Sequence, residues 1–240
     1  MNKKYKMSMY KNKGQLLTSL CPWVIMAEEG VCLIKNGAFM CAYEFIAPDV
    51  DSASQGRIAA LGNMLNNAIL QLGEGWAVQF ELQKYPSNDY PGSAFSNKAA
   101  FLVENQREEN FTTVQRHFVN RYFLILTYAL PSEIEQKCAG FFYRKKDKQD
   151  SANIGLVKKQ LKGFNMECAK LQGILNRYMH VNKLNSEQLL TLLHSSVSLN
   201  WHDMKLPEEY NLFLDRVVTD QSIETSNPMK LGENYIPILA

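Results

Sequence analysis

The clearest pattern of apolar and polar positions, between residues 52 and 84, is an amphipathic helix followed by a half-buried strand. Asp51 and Ser52 are the expected N-caps of this helix. Gly73 is its expected end, because a residue without a Cβ adopts the left-handed conformation most easily. From Trp76 to Gln83, large apolar residues alternate with small or polar ones, which predicts a strand with one buried face. The residues spaced along one side of the helix are Ile58, Leu61, Leu65, Ala68, Ile69 and Leu72.

Residues 23–46 are typical of strands that surround a hairpin, with Asn-Gly at positions 36–37 as a two-residue turn. This register places Cys32 opposite Cys41 at a site where two strands approach closely. We interpret these cysteines first as small buried apolar residues, and a redox role is the alternative. The register also predicts one shared core face, formed by Cys32, Ile34, Phe39, Cys41, Tyr43 and Phe45.

Three further segments complete the set of large elements. A second helix is predicted over residues 97–118, with Ala99, Leu102, Val103, Gln106, Val114 and Phe118 along one side. Residues 122–130 show almost no polar alternation, which indicates a strand that is covered on both faces and lies inside its sheet. Residues 151–182 have the longest apolar repeat, and this helix either packs on its own domain or is offered to a partner.

The C-terminal part is predicted to be mainly helical. A short helix is expected to begin at Asn185 or Ser186, and we interpret His194 on it as a packed, hydrogen-bonded histidine rather than a catalytic base. A loop and a short helix are predicted between Leu206 and Val218. The last residues, 234–240, resemble a strand that no further element follows, from which we expect either that a longer protein has been cut there or that the gene is truncated.

The order of these elements predicts an α+β fold. It has a mixed β-sheet with an N-terminal hairpin, crossover helices packed on the sheet, and a C-terminal helical portion. We divide the chain into a basic flexible arm, residues 1–20, and an α+β domain, residues 21–240. The helical sub-part of that domain covers about residues 151–218.

Composition narrows the class of protein further. A hydrophobic fraction of 46% with a net charge of +2 is typical of a globular domain and does not favour a nucleic-acid binder. No window approaches the ~18 to 20 apolar residues that span a bilayer. The sequence has five cysteines but no CxxC pair, so a zinc site is not expected.

Charge is concentrated in the basic arm. We interpret this arm first as a solvated terminus. The alternative is contact with an anionic membrane surface, where each lysine contributes roughly 1 kcal/mol. A second basic run, residues 144–148, could serve the same purpose. The candidate membrane-contact residues of the arm are Lys3, Lys4, Lys6, Lys11 and Lys13.

The sequence lacks the motifs of several enzyme classes. A P-loop needs GxxxxGK[ST], and no Gly-Lys pair followed by Ser or Thr occurs. There is also no GxGxxG, HExxH or GxSxG motif. We therefore name no catalytic, cofactor-binding or metal-binding residue in this chain.

Eight segments, in order, resemble the amino-terminal region of the type IV secretion and conjugation ATPases, the CagE/TrbE/VirB family, and most of all its TrbE-like members. The similarity covers nearly the whole chain from about residue 20, and the order and spacing of the segments make it specific. The segments are PW at 22–23, GVCLIKNGAFMCAYEF at 30–45, PDVDS at 48–52, LNNAILQLGEGWAVQFE at 65–81, YPG at 90–92, RYFLILTYALP at 121–131, LLTLLHSSVS at 189–198 and LGENYIPIL at 231–239.

The resemblance implies a non-catalytic domain that docks a motor to the inner-membrane subunits of a secretion channel. It places the chain in the bacterial cytoplasm, peripheral at the inner membrane, next to its own C-terminal RecA-like ATPase domain and its oligomer neighbours. ATP and magnesium are expected only in that C-terminal domain. The alternative is an independent α+β small-ligand-binding or enzyme domain with a pocket under residues 85–95. A nucleic-acid contact by the arm ranks last, because only Tyr5 and Tyr10 are interleaved with its lysines.

Overall fold

The computed structural model of the protein describes residues 17–87, 89–93, 95–114, 117–131, 151–200, 202–206, 213–224 and 228–236. The helices in these ranges are α1 Leu17–Leu20, α2 Gln55–Leu70, α3 Lys98–Val114, α4 Ser151–Leu175, α5 Ser186–Ser195 and α6 Leu214–Val217. The strands are β1 Trp23–Glu28, β2 Val31–Ile34, β3 Phe39–Ile46, β4 Trp76–Ser87, β5 His117–Tyr128, β6 His180–Lys183, β7 Ile223–Glu224, β8 Lys230–Leu231 and β9 Asn234–Tyr235.

The main sheet has the strand order β1-β2-β3-β5-β4, and β6 also pairs with β3. The pairings in this sheet are antiparallel. Because β5 lies between β3 and β4, these two strands run in the same direction, and α2 is the crossover helix that connects them. The predicted α+β class is confirmed.

Strand β5 is an interior strand, as its apolar sequence predicted. Its residues Phe123, Leu124, Ile125 and Leu126 are buried. It pairs with β3 only as far as Tyr122, whereas it pairs with β4 over the 12 residues of that strand. Residues 83–87 of β4 and 117–121 of β5 therefore continue past β3 as a two-stranded ribbon.

One face of the sheet is covered by α2 and α4. The apolar repeat of α4 is buried against this face, so the helix packs on its own domain, which is the first of the two predicted alternatives. Its Phe164 stacks on Trp76 with ring centroids 5.4 Å apart. The buried residues of α4 are Val157, Leu161, Phe164, Cys168, Leu171 and Leu175.

The other face is covered by α5, α6 and the small β7-β8-β9 sheet. Helix α5 begins with a capping box, in which Asn185 and Gln188 each accept a hydrogen bond from the other residue's backbone N–H. This confirms the predicted start of the helix. Strand β6, which precedes it, replaces the end of the predicted long helix and pairs with β3 at residues 43–46.

The start of α2 and the extent of the buried face of β4 differ from prediction. Helix α2 begins at Gln55, and the side chain of Ser54, not Asp51 or Ser52, accepts the hydrogen bond from Arg57 N–H. The shift follows from Ser54 being the residue with extended backbone directly before the first turn. Gly73 has the expected positive φ, 74°. On β4, Trp76 and Val78 are half-buried, whereas Phe80 and Leu82 are exposed because β4 is an edge strand.

The predicted hairpin register was wrong by one residue. Cys32 pairs with Met40, because the turn has three residues rather than two. Ile34 N–H bonds to Ala38 C=O, and Gly37 supplies the positive φ, 80°, that closes a three-residue turn. The change moves Cys32 to the sheet face opposite Cys41, and Ile34 moves with it.

The N-terminal arm is described only at its end. Residues 17–20 form α1, and Leu17 is buried against the α5 side of the sheet. The five arm lysines and the basic run at 144–148 lie outside the described residues. The proposed domain division stays a prediction.

Candidate functional site

The most unusual surface is formed by α3, which is carried at the end of the two-stranded ribbon. The Asn97 side chain accepts a hydrogen bond from Ala99 N–H and so satisfies a free donor in its first turn. The side that faces the ribbon is held by Tyr90, whose hydroxyl donates to Glu104 at 3.0 Å. Near its end, Phe111 stacks on His117, with ring centroids 3.4 Å apart.

The first half of α3 exposes a group of apolar residues. Phe101, Leu102 and Val103 are three consecutive large apolar residues, and all are exposed, Leu102 to 67%. Among the residues of α3 with described side chains, only Ala100, Glu104 and Phe111 are not exposed. Three successive exposed apolar residues are costly in a soluble domain unless they serve a function.

The ribbon adds apolar groups to the same end of the molecule. Phe118 and Val119, near the start of β5, are both exposed. We call the outward residues of α3 together with these two the tip surface, which consists of Phe101, Leu102, Val103, Phe118 and Val119. The sequence predicted the helix but placed Leu102 and Val103 among the residues expected to share its packed side.

Charge around the tip surface is divided along the helix. Lys98 lies at the start of α3, beside the apolar residues, whereas Arg107, Glu108 and Glu109 lie in its second half and are exposed. Arg107 and Glu104 form a loose ion pair, with 3.8 Å between nitrogen and oxygen. Glu104 follows the apolar residues directly but is buried against Tyr90, so the exposed acidic side chains of α3 lie in its second half.

A cleft of about 440 Å³ lies next to the base of the ribbon, and Tyr85 is the residue of the predicted pocket region, 85–95, that is found in its lining. Its floor contains Arg121, which donates to both carboxylate oxygens of Glu44 at 2.7 and 2.8 Å. This pairing raises the pKa of Arg121, and burial raises the pKa of Tyr85 beside it. The guanidinium is already committed to a carboxylate, and the exposed Lys205 is a second cation that lines the cleft, as do the acidic Glu187 and Asp203.

The candidate nucleophiles and base at the end of α5, which are Ser195, Ser196 and His194, form contacts that hold the fold together. Ser195 donates to Gln83 and Ser196 to Glu81, each at 2.8 Å, which ties the end of α5 to β4. Sequence spacing did not reveal these pairs, which are more than a hundred residues apart. Nδ1 of His194 lies 2.8 Å from the carbonyl oxygen of Val218, and its imidazole is buried as predicted.

The cysteines also occupy structural positions. The predicted facing of Cys32 and Cys41 does not occur, and Cys41 instead lies 3.5 Å, sulfur to sulfur, from Cys168 on α4. All three are buried. In the described ranges, no three His, Cys, Asp or Glu side chains come together as a metal site.

No helix in the described part of the chain combines the length and the apolar character that a membrane crossing needs.

Comparison with known proteins identifies similar sequences in one family of secretion ATPases. Residues 30–135 match the family model described as the N-terminal domain of the type IV secretion system ATPase VirB4/TrbE. A protein of Sinorhizobium fredii (strain NBRC 101917 / NGR234), named as the first portion of a probable conjugal transfer protein TrbE, is 31% identical to the chain over 133 residues. This alignment covers 54% of the chain and 89% of that relative.

A second relative is longer. The chain is 22% identical over 248 residues to the conjugal transfer protein TrbE of Rhizobium radiobacter. The alignment covers 96% of this chain, and the chain spans 30% of the length of that relative. The region matched by the family model runs from the start of β2 past the end of β5, and thus contains the ribbon, α3 and the tip surface.

Proposed function

The chain belongs to the VirB4/TrbE family of type IV secretion system ATPases, as an N-terminal domain, and from this premise we propose that it docks the ATPase to inner-membrane subunits of the secretion channel through its tip surface. Nucleotide binding and hydrolysis are assigned to a C-terminal domain beyond this chain. ATP and magnesium bind there, and this chain holds no cofactor. The domain itself acts as an adaptor between motor and channel.

The observation that supports docking is the exposed apolar side of α3. An isolated helix of this length is marginal in water, and most helix stability in proteins comes from packing an apolar side. In this chain Phe101, Leu102 and Val103 are 51, 67 and 53% exposed, so about half or more of each of these side chains is left uncovered. A helix of this kind is stabilised when a partner covers it.

The proposed partners are the apolar, membrane-proximal segments of the channel subunits. The basic arm, Lys3 to Lys13, adds attraction to anionic headgroups, which supports the proposed location in the cytoplasm at the inner face of the inner membrane. The domain's other neighbours are its own ATPase domain and adjacent protomers.

The test is a binding measurement with a matched pair of variants. Leu102→Ser removes an apolar group that is 67% exposed, and Leu70→Ser on α2 removes one that is 68% exposed but lies outside the tip surface. Binding is measured to vesicles that contain the channel subunits and to protein-free vesicles of the same anionic lipids. We expect Leu102→Ser to weaken binding to the subunit vesicles by roughly tenfold or more, since burying a leucine is worth about 1.5–3 kcal/mol.

Leu70→Ser should leave that binding unchanged. Equal weakening by both variants would contradict a specific role of the tip surface. Binding of similar strength to the protein-free vesicles, abolished by deletion of residues 1–13, would show lipid rather than subunit recognition and overturn the choice of partner.

A further inference from the structure

The outer edge of β4 is a surface that the docking role does not use. Strand β4 pairs with β5 along its whole length without a register shift, and in the described part of the chain no strand pairs with its other side. An edge strand templates pairing with another chain unless it is short, bulged, charged or covered. Lys84 and Pro86 protect the end of β4, but Glu81 is the one charged residue between Trp76 and Gln83.

Pro86 determines which backbone groups of β4 face outward. It lies opposite Phe118 and has no N–H, so this pair cannot be one that exchanges hydrogen bonds. The two kinds of pair alternate along an antiparallel ladder. Gly75 fits this phase, because its carbonyl oxygen accepts a hydrogen bond from Ala129 beyond the end of β5. The residues whose N–H and C=O point away from β5 are therefore Trp76, Val78, Phe80, Leu82 and Lys84.

Four of these five residues, all except Lys84, carry apolar side chains on one face of the sheet. Phe80 is 51% exposed and makes an edge contact with Phe45, with ring centroids 6.0 Å apart. Leu82 beside it is also exposed. The edge thus combines outward-facing hydrogen-bonding groups with apolar side chains that have room for a neighbour.

We propose that β4 pairs in antiparallel fashion with β4 of a second copy of this chain, in a register centred on Phe80. A twofold axis perpendicular to the sheet relates the copies, so residues directly opposite each other share a face. Phe80 lies opposite Phe80 of the second copy. In the same way, Val78 lies opposite Leu82 and Trp76 opposite Lys84 of the other copy. On the other face, Gln79 lies opposite Glu81 and Ala77 opposite Gln83.

The sequence of β4 supports a second copy as the occupant, because this register is self-complementary. Phe80 forms an aromatic pair, Lys84 meets the ring of Trp76, and no like charges are opposed. A register centred on Glu81 would oppose two carboxylates, and one centred on Leu82 would bring Pro86 to a position that needs an N–H. The register centred on Phe80 is the longest one within β4 that avoids both.

The first test is the oligomeric state of the full 240-residue chain by sedimentation velocity. We expect the mass to rise with concentration from 27.4 kDa to twice that value. Phe80→Lys places two lysines opposite each other on the axis and should weaken dimerisation by about tenfold or more. Phe101→Lys on α3 is the matched control, because Phe101 is also 51% exposed, and it should leave dimerisation unchanged. Circular dichroism spectra check that both variants are folded.

The second test reads the register. Opposed residues at positions without hydrogen bonds approach most closely, so Gln79→Cys in one chain and Glu81→Cys in a second chain of different size should form a mixed disulfide under mild oxidation. The pair Ala77→Cys and Glu81→Cys is out of register by two residues and should not. The wild-type chain controls for the native cysteines.

A monomer at all concentrations would overturn the proposal, and so would a dimer that Phe80→Lys leaves intact or that cross-links equally well in both pairs. None of these results bears on docking through α3, because docking is measured as binding to vesicles that contain the channel subunits, whereas dimerisation is measured on the chain alone.

Discussion

At the scale of single residues, the buried cysteine Cys32 makes the stability of the domain depend on pH. Its thiol is fully buried on the α5 side of the sheet, and this burial raises its pKa from 9.0 to about 12. Burial disfavours the thiolate because the charged form loses its hydration. The protonated thiol is therefore the form that the folded state holds.

This shift predicts a loss of stability in alkaline solution. Below pH 9.0 both states hold the Cys32 proton, whereas above it the unfolded chain releases the proton and the folded chain keeps it until about pH 12. The free energy of unfolding should therefore fall between these values, by up to about 1.4 kcal/mol per pH unit for this group.

Urea unfolding at about pH 8 and about pH 10 measures the effect. Cys32→Ala should be less stable than the wild type at the lower pH, because the substitution leaves a small cavity. It should then lose about 1.4 kcal/mol less than the wild type on going to the higher pH. The same loss in both proteins would show that Cys32 does not titrate as its burial implies.

At the scale of elements, the turn between β1 and β2 holds α5 in place. Gly30 has a φ of +65°, and its N–H donates to Ser186 Oγ at 3.0 Å, while Ser186 N–H donates to Glu29 at 2.9 Å. A Cβ at Gly30 would collide with the carbonyl oxygen of Leu184, which precedes the helix. The position thus requires glycine for both its conformation and its close approach.

Gly30→Ala should destabilise the domain by about 2 kcal/mol or more, because strain in the left-handed region costs about 1–3 kcal/mol before the collision is counted. Gly62→Ala in α2 is the control, since a Cβ there meets no atom within 4 Å, and it should stabilise by about 0.4–1 kcal/mol. Urea midpoints of the two variants give the comparison. An unchanged midpoint for Gly30→Ala would mean that the turn moves away from α5 freely.

The elements that the sequence predicted best are those with long patterns. The repeat of α4 and the apolar run of β5 each specify many positions, so the helix and the interior strand could be recognised. The hairpin register could not be recognised, because Asn-Gly fits a two-residue turn as well as the three-residue turn that Gly37 closes. A shift of the register by one residue moves every side chain of the strand to the other face of the sheet. Strand β6 has only four residues, too few to show a period.

The tip surface was beyond prediction for a different reason. Periodicity shows which residues share a side of a helix, but not whether that side meets the domain. Leu102 and Val103 were expected to pack, and they are exposed because the ribbon carries α3 past the last strand that could cover them. The ion pair between Arg121 and Glu44 joins residues that are 77 positions apart, and the sequence around each residue does not predict it.

At the scale of the whole molecule, the apolar cores that stabilise the domain are separate from the two surfaces that we propose for recognition. The sheet is covered on both faces near β3, where the two apolar cores lie. The tip surface and the edge of β4 extend outside this covered region. We therefore expect substitutions on α3 to test the proposed docking without unfolding the domain, whereas substitutions in the core act on every element at once.

Phe164 gives the sharpest test of this separation. Its ring stacks on Trp76 at the start of β4 and contacts Phe39 at the start of β3, with centroids 5.4 and 5.8 Å apart. It therefore joins α4 to two strands that are not neighbours in the sheet. Phe164→Ala should lower the free energy of unfolding by about 3–5 kcal/mol, whereas Phe101→Ala, on the exposed side of α3, should change it by less than about 0.5 kcal/mol.

Tryptophan fluorescence and far-ultraviolet circular dichroism should report the same urea midpoint for each of these proteins, because one sheet connects both cores. In Phe164→Ala both midpoints should move together. If the fluorescence midpoint moved and the circular dichroism midpoint stayed, the surroundings of the tryptophans, which include Trp76 on the α4 side and Trp23 on the α5 side of the sheet, would unfold separately from the rest of the domain. Loss of binding in a core variant could then no longer be separated from loss of fold.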